Sequence, residues 1–329
     1  MKFLLITTPA KDLFSINSYS DVVNYYIQKY FNTYNIDYDI FPMKTKKTDT
    51  DADLISIFNN LDVSSYDFVL ALGLRYFTTI PSECGIALKK KNTLVVQLHD
   101  GSLLDFEAAD LTLTTRDDSS KYPLDAPANR HYRHHTFNKY IGWAADKELF
   151  IPLQFSYELR ILVDHTIYDI SQPDRTMDIL IKIREFINSG AWKNKYINVR
   201  VRMIIDNEII DVDVNDFSIK PYSRKGVPYI EMAKEMCRTD IYFVTHGETV
   251  GLNALEAAMA GALVAVPVGY IPESLISTIH HFEFDRTINW TELLTSLDTK
   301  LSRAKAIEHD WGNVTKKILD TIVNHQKIV

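Results

Sequence analysis

Two glutamates, Glu248 and Glu256, stand eight residues apart in the run THGETVGLNALEAAMAG, residues 245–261. An apolar strand leads into the run and ends at His246-Gly247, and a helix begins near Val250 and stops at Gly261. Eight residues are about two helical turns, so a carboxylate at 256 falls on roughly the same side as one at 248. In an open parallel sheet, ligands gather beyond the carboxyl ends of the strands. The free N–H groups and positive dipole end of a helix starting there suit a diphosphate. A carboxylate on that helix can accept hydrogen bonds from a ribose diol. Gly247, Thr249, Val250, Gly251 and Leu252 lie around that helix start. Spacing alone equally allows a packing helix, with small residues Gly251, Ala254, Ala257 and Ala258 against the sheet and two glutamates in solvent.

A second constellation is His99-Asp100, which closes the apolar run LVVQLHDG. At the carboxyl end of a strand, Asp100 and His99 are of a type that can exchange protons with a ligand. The alternative is an aspartate that caps a helix after a turn. Three cations compete as partners for a diphosphate: Arg175, beside Thr176 at a helix start, and Arg224 and Lys225 in KPYSRKG. Arginine favours bidentate phosphate contacts, which gives Arg175 an edge over an ordinary exposed loop cation.

Metal chemistry finds little support. Asp211 and Asp213 form an Asp-x-Asp pair, but they lie in the alternating stretch EIIDVDVND, which reads as the polar face of a strand. His131, His134 and His135 have no cysteine or acidic partner at metal-ligand spacing. No metal site and no tightly held cofactor is expected. No P-loop, Gly-x-Gly-x-x-Gly, Gly-x-Ser-x-Gly or Cys-x-x-Cys occurs.

The elements that must position these residues alternate between strand and helix. In the first half, strands are predicted at 2–8, 38–43, 67–72, 93–98, 110–115 and 137–143, with helices at 18–34, 51–61 and 81–91. In the second half, strands are predicted at 159–163, 197–205, 241–245 and 263–266, with helices at 176–187, 227–237, 250–260 and 272–279 and a mostly helical tail from Trp290. Residues 116–135 read as a long loop. This order predicts an α/β chain with two Rossmann-like, doubly wound parallel-sheet domains, residues 1–152 and 153–329, the last helix packing back on the first domain. A chain of 329 residues suits two domains.

A net charge of −7 argues against a broad, sequence-independent grip on nucleic acid, although short basic clusters occur at 44–47, 89–91 and 130–135. The apolar start at residues 2–8 is too short for a signal peptide, and no apolar run reaches the length of a membrane span. Cys84 and Cys237 lie far apart, so a cytoplasmic protein without disulfides is expected.

Residues 245–267 resemble the donor-site motif of retaining glycosyltransferases of the GT-B architecture, glycosyltransferase family 4-like (group 1). The matching positions are Glu248, Gly251, Leu252, Glu256, Ala257, Met259, Gly261 and Pro267. The preceding AKEMCRTDIYFV with Asp240, the following GYIPESLI, the linker YIGWAADKELF and the tail HDWGNVTKKIL are similar to their counterparts in that family. The likeness covers most of 140–325 and fades over the first 90 residues. His99-Asp100 also resembles a histidine–aspartate pair in phage glucosyltransferases that modify hydroxymethylated cytosine in DNA.

The resemblance implies a donor such as UDP-glucose as co-substrate. Glu256 would hold the ribose, Glu248 the sugar hydroxyls and residues 249–252 the diphosphate, and the sugar would move to a hydroxyl with retention. The acceptor would be a glycan, a lipid, or a hydroxymethylated base in phage DNA. Two departures stand out. The family's Gly-Arg pair after the first strand of the second domain is replaced by Asp164-His165, and TTPAKDLFSINS replaces its glycine-rich loop after the first strand. They motivate the alternative of a catalytically degenerate binding protein.

Overall fold

The computed structural model describes residues 1–7, 10–16, 19–42, 51–72, 87–88, 94–99, 109–114, 138–153, 157–164, 175–205, 208–215, 227–245, 252–271 and 273–326. The chain divides into two compact units, Met1–Gly142 with Trp311–Val329, and Trp143–Asp310.

The first unit holds a parallel six-stranded sheet of order β2-β1-β3-β4-β5-β6. Its strands are β1 (Lys2–Thr7), β2 (Asp37–Pro42), β3 (Phe68–Leu72), β4 (Leu94–His99), β5 (Leu111–Thr114) and β6 (Asn138–Tyr140). Every residue of β3 is buried, as parallel strands covered on both faces require. Helices α1 (Tyr19–Thr33) and α2 (Asp51–Asn60) were both legible from their apolar spacing. The C-terminal helix, Trp311–Gln326, belongs to this unit, where Tyr26 of α1 stacks on Trp311 at 5.1 Å.

The second unit is built on β7 (Glu158–Asp164), β8 (Asn198–Ile205), β9 (Glu208–Asp211), β10 (Ile241–Phe243), β11 (Leu263–Pro267) and β12 (His281–Phe284). Their order is β12-β11-β10-β7-β8-β9, parallel except for the antiparallel edge strand β9. The helices are α3 (Thr176–Ser189), α4 (Tyr229–Met236), α5 (Leu252–Met259), α6 (Glu273–Ile276), α7 (Trp290–Thr295), α8 (Thr299–Ala306) and, in the first unit, α9 (Trp311–Gln326). Strand order reverses between β7 and β10, giving the doubly wound Rossmann arrangement. The two faces differ in what they bury. Ile161 and Val163 of β7 pack with Ile179, Ile183 and Phe186 of α3. Their neighbours Leu162 and Asp164 point to the other face, which they share with Tyr242, because side chains alternate along a strand.

Several sequence expectations needed adjustment. Trp143 lies beyond β6, which ends at Tyr140. The helix expected over 272–279 is only the single turn α6. The helix expected from 227 starts two residues later, at Tyr229, because Pro228 stands at its N-cap with extended ψ of 134°. Strand β12 was not foreseen at all. The Asp-x-Asp stretch is a strand edge, as its alternation implied, and Asp211 pairs with Arg200 at 2.8 Å.

Helix α5 stops as the sequence predicted. Gly261 takes φ +90°, and its N–H and that of Ala262 close back on the carbonyls of Ala258 and Ala257. A Cβ at 261 would sit 2.5 Å from Thr299 Cγ2 and 2.9 Å from Pro152 Cγ. Gly261→Ala therefore meets both an unfavourable φ and a clash, and should lower stability by about 2–4 kcal/mol in urea unfolding. A loss under about 0.5 kcal/mol, the size of a neutral surface change, would show that the helix end relaxes freely. Among the described residues, no helix is long and apolar enough to cross a membrane.

Candidate donor site at the strand-order reversal of the second unit

Ligands of open α/β sheets bind outside the carboxyl ends of the strands where the order reverses. In the second unit that point lies beyond Asp164 of β7 and Phe243 of β10. Thr245 follows β10, and its hydroxyl donates to the carbonyl of Asp164. The Arg175 amide, at the start of α3, donates to the carbonyl of Thr245 at 2.9 Å. Asn253, in the first turn of α5, donates to Asp164 Oδ2 at 3.1 Å. The fold thus brings the starts of α3 and α5 together over the ends of β7 and β10.

Of the donor-site residues named from sequence, Arg175, Leu252 and Glu256 are at this place. Gly247, Glu248, Thr249, Val250, Gly251, Arg224 and Lys225 lie outside the described residues, as do Asp100 and the histidines at 131, 134 and 135. His99 is the last residue of β4 in the first unit, paired with Thr114. Asp213 follows β9 and receives the amide of Asn215 at 2.9 Å on its Oδ1.

Glu256 is not a solvent glutamate. It is 1% exposed on α5, among Ala254, Leu255, Ala257 and Ala258, all fully buried. Its Oε1 has no hydrogen-bond partner among the described residues. Burial pushes its carboxyl up to about 8, against a smaller opposing effect of the Tyr229 hydroxyl of α4. Burial therefore favours the protonated form of Glu256 at neutral pH. An acidic side chain kept in such surroundings with an unpartnered oxygen is costly, and a buried polar atom without a partner calls for an explanation.

Arg175 contributes more than its amide. Its Nη2 donates to Asp178 Oδ2 at 2.9 Å, and its guanidinium carbon stands 6.0 Å from the Phe284 ring centroid at the end of β12. Burial alone would raise the Asp178 carboxyl, but hydrogen bonds from Lys182 and Arg175 outweigh it and hold it below its ordinary value. The guanidinium has five N–H donors, so one bond to Asp178 fixes its direction without exhausting it.

The first unit shows what stands in place of a glycine-rich loop. Leu13–Ser15 form a 3-10 turn capped by Asp12, whose Oδ1 accepts from the amides of Phe14 at 3.0 Å and Ser15 at 3.1 Å. Lys11 pairs with Asp21 of α1 at 2.9 Å, and the Ala10 amide donates to Gln28 of α1 at 3.3 Å. The segment after β1 is held by polar side chains rather than by close backbone approach. The signal in the sequence is the polar spacing of Asp21 and Gln28 along α1. Among the described residues, no group of three or more histidine, cysteine, aspartate or glutamate side chains could hold a metal.

No family model matches the chain, and no curated protein matches it either. Solved structures do. A sucrose-phosphate synthase from Thermosynechococcus elongatus aligns over 100% of both chains at 9% identity with a TM-score of 0.59. The Anabaena protein HepE, solved with UDP and glucose, aligns over 98% of this chain and 100% of its own at 11% identity and a TM-score of 0.55. A UDP-forming trehalose-phosphate synthase from Burkholderia vietnamiensis aligns over 98% of both at 7% identity and 0.52. The fold is that of GT-B proteins. At these identities the likeness speaks to the fold, and the site has to speak for the chemistry.

Proposed function

We propose that this protein is a retaining glycosyltransferase that takes a UDP-hexose at the crevice beyond β7 and β10 and passes the sugar to a hydroxyl. The observation that carries the reading is Glu256, buried with an unpartnered oxygen on the helix that begins at the strand-order reversal. A ribose diol supplies two O–H donors to such a group. The fold adds support, since proteins sharing it include a UDP-forming synthase and one solved with UDP and glucose.

In this reading Glu256 takes the ribose, and Gly247, Thr249, Val250, Gly251 and Leu252 surround the diphosphate at the start of α5. Glu248 reaches the sugar hydroxyls. Arg175 lies against the diphosphate, with Arg224 and Lys225 as rival cations. Retention follows from the likeness of the Glu248–Glu256 segment to retaining enzymes. Catalysis comes from alignment and from stabilising charge on the leaving diphosphate. In the first unit, Asp100 accepts the proton of the attacking hydroxyl or faces the positive charge that develops on the sugar, with His99 beside the sugar. No metal is assigned to either step. The acceptor is a glycan, a lipid or a hydroxymethylated base, and the protein works in the cytoplasm, where nucleotide sugars are made.

The test is thermal denaturation with UDP, GDP, ADP and their glucose conjugates. A ligand at one hundred times its Kd stabilises by about 2.7 kcal/mol, a rise of several degrees for a unit of this size. We expect UDP and UDP-glucose to stabilise most; no shift with any of them ends the proposal. Binding without hydrolysis or transfer on an acceptor panel would instead identify a binding protein that has kept the fold and lost the reaction.

A further inference from the structure

Asp164 is fully buried at the carboxyl end of β7, and none of the steps above uses it. Its Oδ2 accepts the Tyr242 hydroxyl of β10 at 2.5 Å and the Asn253 amide of α5 at 3.1 Å. Its main-chain carbonyl accepts the Thr245 hydroxyl, and Thr245 in turn receives the amide of Arg175. One residue therefore reaches both helix starts that frame the crevice: α5 through its side chain, and α3 through its backbone and Thr245.

The geometry points to Asp164 as the residue that positions the start of α5 over the sheet, and so sets the span between that helix and Arg175 in which a nucleoside diphosphate is held. This rests on the proposed donor site. Helix α5 is buried from Ala254 onward, through Ala254, Leu255, Ala257, Ala258 and Met259, while Leu252 and Asn253 at its start are only partly buried. Interdigitated packing holds the body of the helix and leaves its partly buried first two residues to be fixed by other contacts. A directional bond from the helix's second residue to a side chain fixed in the strand supplies the missing constraint. Asp164 is itself held through its backbone, paired with Ile204 of β8 and bonded at its carbonyl by the Thr245 hydroxyl, and the Tyr242 hydroxyl of β10 is a second donor to the same side-chain oxygen. A carboxylate in this place also faces the favourable end of the helix dipole.

Two single-bond deletions separate positioning from simple stability. Asn253→Ala removes the link to α5, and Tyr242→Phe removes the link to β10 from the same oxygen. Both delete one hydrogen bond to a buried carboxylate, so both should lower the melting temperature by similar amounts. Only Asn253→Ala should weaken UDP binding, by about tenfold in calorimetry, and Tyr242→Phe should stay within about twofold. Asp164→Ala combined with Asn253→Ala should bind UDP no worse than Asp164→Ala alone, since the two residues act as a unit. Hydrogen exchange provides a readout that needs no ligand. Amides of α5 should exchange faster in Asn253→Ala than in Tyr242→Phe. Equal effects of the two variants on both Kd and exchange would overturn the inference. If wild-type protein bound no UDP, the donor reading would fall, and α5 exchange alone would decide whether Asp164 positions the helix.

Discussion

Replacing Glu256 by glutamine is expected to abolish most of the affinity for UDP and, in the free protein, to make stability less dependent on pH. The sign of the second effect follows from the direction of the shift. Burial raises the Glu256 carboxyl from its ordinary 4.5 to about 8, so folding takes up a proton between those values. The stabilisation from that proton is fully present below about 4.5 and is lost progressively as pH rises through 8. Glutamine cannot titrate. The stability of Glu256→Gln relative to wild type should therefore climb by about 1.4 kcal/mol for each pH unit across the window and level off above it. An extra buried N–H without an acceptor offsets the whole curve but leaves its slope untouched. Urea unfolding at pH 5, 6, 7, 8 and 9 reads the slope directly, and parallel curves for the two proteins would refute the buried, protonated glutamate.

The same group makes a prediction about binding. Ribose hydroxyls donate hydrogen bonds, and a charged acceptor strengthens such bonds about twofold over a neutral one. UDP should therefore select the ionised form and drive a proton off Glu256 at pH 7. Calorimetry in two buffers of different ionisation enthalpy should show this release in wild type and its absence in Glu256→Gln. The variant should bind UDP about 10- to 100-fold more weakly, the consequence of losing charged hydrogen bonds and leaving ribose hydroxyls poorly paired. Equal affinities would place the ribose elsewhere.

Much of this architecture was legible in the sequence, and the reasons are local. Runs such as 241–244 and 263–266 are apolar on both sides because parallel strands are covered on both faces. Gly261 marked the end of α5 because a left-handed residue closes the helix. Strand β12 was missed because its four residues, two of them polar, carry too little periodicity against the helix-like stretches on either side. The site was readable in part. Spacing located Glu256 on the right helix, but spacing is silent on burial, and it left a solvent glutamate equally open. What decides the matter is packing from α4, including Tyr229, which is far away in the sequence. Asp164 was visible only as a departure from an expected Gly-Arg pair. Its role depends on Tyr242 and Asn253, which lie 78 and 89 residues further on. Contacts of that kind come from the order of strands and cannot be read from a local window.

Arg175 offers the sharpest test of catalysis, because its side chain can be removed without loosening its backbone. The amide bond to Thr245 holds the start of α3 whatever the side chain, and Lys182 still binds Asp178 at 2.6 Å when the guanidinium is gone. Arg175→Ala should therefore fold with little loss of stability. In the proposed reaction, negative charge grows on the diphosphate as the sugar leaves, so a cation aimed there acts mainly on the transition state. Removing one such preorganised donor typically costs about 100- to 1,000-fold in turnover. Donor affinity in the ground state should fall much less. The expected pattern is a collapse of kcat with a modest change in KM, read first as hydrolysis of UDP-glucose in the absence of an acceptor. Lysine at 175 should restore only part of the rate, since it supplies charge without the planar fork. If Arg175→Ala keeps turnover within about threefold of wild type, a loss too small for a transition-state contact, the clamp is Arg224 or Lys225. The guanidinium at 175 then serves only to tie Asp178 and Phe284 to the start of α3.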